Sequence, residues 1–237
     1  MNWKAHGTMG AAVGVWAGWA IPAQEATSDL VVPGVASVSA DPRFVNAVTV
    51  GLVMGAYAIA SDIDTHASRA TNMWGPVSRW ATIPLRWLVS HRGATHRLAS
   101  AVVLTAAVMF VGSRWPVGAA FIVAVTVGLA LAGLDHLLPG DTSDSFTNLA
   151  VSVVAGIVAY KVGWFPWWLP AAAGAGVVVH IAGDALTERG ALGLIKSDGL
   201  AAHVIYGLSL AAIVAWFATA TGHDPFGNTV EYVRRFA

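Results

Sequence analysis

Seven apolar runs separated by short polar patches limit what this chain can fold into. They cover residues 5–21, 44–60, 98–112, 117–134, 149–160, 167–181 and 204–220. Several reach or approach the roughly 20 apolar residues that cross a bilayer as a helix. Only 11% of the 237 residues are charged, less than half the roughly 25% of an ordinary soluble domain. An unusually apolar soluble core has no need of so many runs of this length. The expected architecture is therefore all-α: one integral membrane domain over residues 1–237, a polytopic transmembrane helical bundle of about seven spans, with six as the alternative count. The shorter runs gain length from polar residues that face the bundle interior. Gly51, Gly55, Gly174 and Gly176 lie within the runs, where small residues let helices approach closely. The first run resembles a signal peptide in length, but His6 falls in its basic region. Trp16 and Trp19 are also poor neighbours for a cleavage site, so an uncleaved first helix is expected.

Lys and Arg give the orientation. Residues 65–97 carry Arg69, Arg79, Arg86, Arg92 and Arg97, whereas residues 22–43 carry one Arg among Glu25, Asp29 and Asp41. By the positive-inside rule the first segment is cytoplasmic and the N-terminus is inside. Arg234 and Arg235 dissent, because seven spans put the C-terminus outside. Trp74, Trp80 and Trp87, and the cluster Trp164, Trp167 and Trp168, are expected at headgroup level. Residues 80–89 are expected to lie along the membrane surface.

Threading the runs through a bilayer collects almost all the His and Asp at one face. His6 starts the first span, Asp62 and Asp64 end the second, and His91 and His96 precede the third. Asp135 and His136 end the fourth, His180 and Asp184 end the sixth, and His203 starts the seventh. Of the eight histidines, only His223 lies opposite. Ionisable residues gathered so economically at a membrane face point to a site. With a net charge of zero, nothing points to a basic nucleic-acid-binding surface. The chain has no cysteine, which excludes disulfides and thiolate zinc sites. Any metal must be held by His nitrogen and carboxylate oxygen, ligands that suit zinc, manganese or iron.

The patches differ in what they say. His180 and Asp184 stand four apart on one helix face and can reach one ion; an interfacial ion pair is the plainer alternative. Asp62 and Asp64 are two carboxylates at a helix C-terminus, the unfavourable end for negative charge. A cation between them would relieve that, as would exposure to water near Arg69. The segment 91–96, His-Arg-Gly-Ala-Thr-His, offers a metal ligand, a proton-transferring imidazole and a guanidinium able to pair with phosphate. It could also serve simply as a basic stretch binding anionic headgroups. Asp135 and His136, before Pro139-Gly140, read as a polar loop, with further metal ligands as the alternative.

Taken in order, His6, Ser-Asp-Ile-Asp at 61–64, the hexapeptide at 91–96 and His-Ile-Ala-Gly-Asp-Ala-Leu-Thr-Glu-Arg-Gly at 180–190 resemble the bacterial membrane-bound metal-dependent hydrolases. That family includes LexA-regulated inner-membrane proteins. Its pattern has an early His, Pro-Asp-Ile-Asp-His, His-Arg-Gly-x-Thr-His-Ser and His-x-x-x-Asp-x-x-Thr-x-x-Gly. The resemblance implies a divalent metal, zinc ahead of manganese, bound by His6, Asp62, Asp64, His96, His180 and Asp184, with His91 and Arg92 close by. A more distant similarity to zinc-dependent phospholipase C implies a phosphodiester or lipid substrate. The chain departs from the pattern at Ser61 for Pro, Thr65 for His and Arg97 for Ser. The stretch from His96 to His180 is longer than usual, as if two spans carrying Asp135 and His136 were inserted. These departures leave His66 and Asp135 as substitute ligands or bystanders.

The expected function is hydrolysis of an ester or phosphoester at the cytoplasmic face of a bacterial inner membrane, with metal-activated water. A carboxylate or a His such as His91 takes the proton, and Arg92 and the metal face the developing negative charge. The partner is a membrane lipid or lipid-like substrate. Two alternatives stand beside it: a metal-ion or proton transporter, and a structural or regulatory membrane protein with a bound ion.

Overall fold

The computed structural model describes residues 3–21, 42–88, 94–135, 144–186 and 200–221. Among them the chain is entirely helical, without a strand. Seven long helices follow the seven apolar runs: α1 (Trp3–Trp19), α2 (Pro42–Ala60), α6 (Leu98–Arg114), α7 (Pro116–Leu134), α8 (Ser145–Val162), α9 (Leu169–Leu186) and α10 (Leu200–Thr221). Three short helices, α3 (Arg69–Asn72), α4 (Pro76–Ala81) and α5 (Ile83–Leu88), lie between α2 and α6. Segments corresponding to α2, α7, α8 and α9 are long and apolar enough to cross a membrane on their own; α6 and part of α10 are shorter apolar helices.

Helix ends follow local chemistry. Trp115 alone joins α6 to α7, and Pro116 opens α7, where a missing N–H costs nothing. Asp144 caps α8 by accepting from the Thr147 amide at 2.7 Å. Gly163, at φ 66°, closes it in the left-handed conformation.

Helix α2 runs through the middle of the bundle, against α1, α7 and α9. It lies antiparallel to α1, and glycine sets the spacing. A Cβ on Gly10 would stand 2.6 Å from the Met54 carbonyl oxygen, one on Gly14 2.7 Å from Gly51 Cα, and one on Gly18 2.6 Å from the Asn46 carbonyl oxygen. From α9, a Cβ on Gly176 would stand 2.6 Å from the same Met54 oxygen. Backbones this close are the product of small residues in membrane helices.

The outside of the bundle is apolar. Val102, Phe110, Phe121, Phe146, Leu208 and Phe217 are all exposed, the reverse of a soluble surface and the arrangement that lipid requires. Several polar groups between the helices are hydrogen-bonded: Tyr57 to Thr126 at 3.2 Å, Asn148 to the Gly128 carbonyl at 3.0 Å, and Ser152 to Asn148 at 3.1 Å. Trp80, Trp87 and Leu88 on α4 and α5 are strongly exposed, as befits a segment at the membrane surface. Trp74 departs from the headgroup expectation. Its indole N–H donates to Ser152 Oγ at 3.0 Å, which turns the half-buried ring toward α8. Trp168 is buried.

Candidate metal centre

The start of α1, the end of α2, the turn before α6 and the end of α9 meet at one end of the bundle. Antiparallel packing of α1 on α2 brings His6 beside the 3-10 turn Ser61–Asp64, which continues α2. Helix α9 adds His180 and Asp184 from one face, and the turn Ala94–His96 adds His96.

Four acceptor atoms converge there. His96 Nε2 lies 3.5 Å from Asp62 Oδ1, 3.6 Å from Asp184 Oδ2 and 3.1 Å from His180 Nε2. His180 Nε2 lies 3.8 Å from Asp62 Oδ1 and 3.5 Å from Asp184 Oδ2. An ion with four tetrahedral bonds of about 2.1 Å keeps its ligand atoms roughly 3.4 Å apart. The five separations fit the edges of such a cage.

Hydrogen bonds around the cage set the tautomers. The Ala58 carbonyl can only accept, so His180 Nδ1, 2.6 Å away, carries the proton and leaves a lone pair on Nε2. The Thr95 hydroxyl donates to Asp64 Oδ2 at 2.6 Å, so its 3.0 Å contact with His96 Nδ1 is an N–H donating to Oγ1. His96 Nε2 then also presents a lone pair. Orienting partners on the outer nitrogen are what metal-ligating histidines have.

His6 lies beside the cage. Its Nε2 is 3.1 Å from the other Asp184 oxygen, Oδ1, and its ring stacks on that of His180 at 4.0 Å. His6, His180 and Asp184 form a second group with ligand atoms within 4.8 Å of one another. Both His6 and His180 are 1% exposed and form the floor. Asp62 and Asp184, with side chains 26% and 15% exposed, form the open side. The donor set is three imidazole nitrogens and carboxylate oxygens without sulfur, which fits zinc or manganese.

Five of the six residues named as ligands from the sequence thus come together. The sixth, Asp64, stands behind His96: its Oδ2 is 3.9 Å from His96 Nδ1 and receives the Thr95 hydroxyl. Thr95 was visible in the sequence only as a hydroxyl within the hexapeptide; its place between Asp64 and His96 depends on the contact of the turns Ser61–Asp64 and Ala94–His96. Asp135 is away from the cluster, paired with Arg69 at 3.3 Å, and the Arg69 guanidinium lies over the Trp3 ring at 4.6 Å. Arg69 is therefore engaged by Asp135. His66 and His203 are exposed and belong to neither group of candidate ligands. His91, Arg92, His136 and His223 lie outside the described residues.

No curated protein and no solved structure matches the chain. A family model described as YdjM inner membrane protein matches residues 1–195, which takes in all five clustered residues. With its membrane-spanning helices, the chain is a multi-pass inner-membrane protein, and it belongs to the YdjM inner membrane protein family.

Proposed function

We propose that the protein is a membrane-bound metal-dependent hydrolase that cleaves an ester or phosphoester of an amphiphilic substrate at the cytoplasmic face of the inner membrane. The observation that carries this reading is the cage of Asp62, His96, His180 and Asp184, in which two imidazole lone pairs and two carboxylates face one small volume. A divalent ion held there, zinc ahead of manganese, supplies Lewis acidity that polarises the scissile group and acidifies water.

The chain's own residues do the rest. Ala58 fixes His180, and Asp64 fixes His96 through Thr95. His6 holds Asp184 by its second oxygen. Asp62 and Asp184 line the side from which substrate arrives. His91 and Arg92, in the segment leading into Thr95 and His96, are the proposed base and the proposed partner of developing negative charge. The cluster lies where spans end, at headgroup depth, which favours a lipid-like substrate. It also lies at one end only. The polar pairs deeper in the bundle, Tyr57 with Thr126 and Asn148 with Ser152, are uncharged and satisfy each other, whereas an ion pathway needs ionisable groups through the midplane.

The test is turnover of a phospholipid panel and of bis(p-nitrophenyl) phosphate by detergent-purified protein. Turnover abolished by chelation and restored by zinc is expected. A folded, metal-loaded protein inert on every substrate would favour the structural alternative.

A further inference from the structure

Beside the cage, a groove of about 390 Å³ runs between α2, α6 and α7. That is within the range of roughly 300–1,000 Å³ typical of small-molecule sites. Its polar end is formed by Ser61 and Thr95, each next in the chain to a cage residue, with Leu85 of α5 alongside. The remainder is apolar, walled by residues such as Leu104, Val108, Val111 and Ile122. From Ser100 to Val111 it follows α6 for about 17 Å, at roughly 1.5 Å per residue. The hydrocarbon core of a bilayer is about 30 Å thick, so the groove is one leaflet deep and starts at the site.

Ser61 is the second observation. The residue is only 4% exposed and lines this groove, and its buried Oγ has no hydrogen-bond partner among the described residues. A buried hydroxyl left without a partner is unfavourable, and an oxygen of a bound molecule would satisfy it.

We propose that the groove binds one acyl chain of a glycerophospholipid, with the phosphate at the cage and an ester oxygen accepting a hydrogen bond from Ser61 Oγ. The head-group end of this assignment rests on the hydrolase reading. One leaflet of depth suits an acyl chain of a bilayer lipid. A second groove, of about 300 Å³, contains Leu52, Val127 and Trp164. None of the cage residues lines it, so it serves as an internal control.

The experiment uses the full chain in phosphatidylethanolamine–phosphatidylglycerol vesicles doped with phosphatidylglycerol carrying a mid-chain diazirine. After irradiation, adducts are mapped by peptide mass spectrometry, and metal content is measured on the same samples. Adducts on Leu104, Val108 and Ile122 are expected to exceed those on Leu52 and Val127 several-fold. Ala107→Trp, which fills the groove from an exposed wall position, is expected to bring them down to the control level with metal retained. Should that variant not fold, the wild-type ratio decides alone. Equal labelling of the two grooves in metal-loaded protein would overturn the acyl-chain assignment and leave the metal site standing. Preferential labelling in a protein that binds no metal would leave the groove standing and overturn the hydrolase reading.

Discussion

Nε2 of His96 lies 3.1 Å from Nε2 of His180, and each of these atoms presents a lone pair. Two lone pairs at that distance repel unless a cation or an added proton lies between them. The protons that would otherwise occupy these nitrogens are held on the outer side of each ring, by Ala58 and by Thr95 with Asp64. Asp62 and Asp184 add negative charge from two further directions. A positive ion would relieve this repulsion, and the first two predictions follow from the layers around the proposed ion.

The Thr95 relay is expected to matter through His96 alone. Thr95→Val keeps the shape and removes the hydroxyl, so Asp64 no longer orients the ring. Loss of such an outer partner lowers metal affinity by about 10–100-fold. Zinc titration against a competing chelator measures this, and unchanged affinity would remove Thr95 and Asp64 from the account.

His6 is expected to support the cage without being indispensable to it. His6→Ala leaves Asp184 Oδ1 without its 3.1 Å partner, and affinity should fall by a similar ~10–100-fold while one ion still binds at saturation. A fall from two ions to one would instead assign His6, His180 and Asp184 a metal of their own.

Asp135 provides a contrast. Its 3.3 Å pair with the partly exposed Arg69 lies away from the cage. Asp135→Asn is expected to leave metal content unchanged and to cost about 1–3 kcal/mol of stability, because the Asp135 side chain is only 11% exposed. Loss of metal in this variant would bring the end of α7 into the site.

The contact of α1 with α2 carries His6 to the site, and it depends on glycine. Gly14→Leu would set a side chain against Gly51 Cα and the Val50 carbonyl. Overpacking of this kind costs roughly 1–3 kcal/mol, and separation of the helices should weaken metal binding along with stability. Thermal unfolding in detergent, with and without zinc, checks both. An unchanged midpoint would mean that α1 packs less closely than described.

The membrane face that holds the site was readable from the sequence, because alternating spans leave few choices for where His6, Asp62, His96, His180 and Asp184 can lie. The helices follow the apolar runs because length and hydropathy are local properties. Other features depend on which helices become neighbours, which no local pattern reveals. Trp74 turned inward to Ser152 rather than outward to headgroups. Arg69 found Asp135, not Asp62 or Asp64. Asp62 and Asp64, two residues apart and so on different faces of their turn, divided into one facing the cage and one behind His96 according to where His96 came to lie. Ser61 could be seen as a departure from the family pattern, but its position on a groove could not.

The most direct measurement is the metal content of detergent-purified protein by elemental mass spectrometry, with wild type beside His180→Ala and Asp184→Ala. The account predicts at least one zinc or manganese ion per folded wild-type chain, lost in both variants. A folded wild type that binds no divalent metal when zinc and manganese are supplied would contradict it.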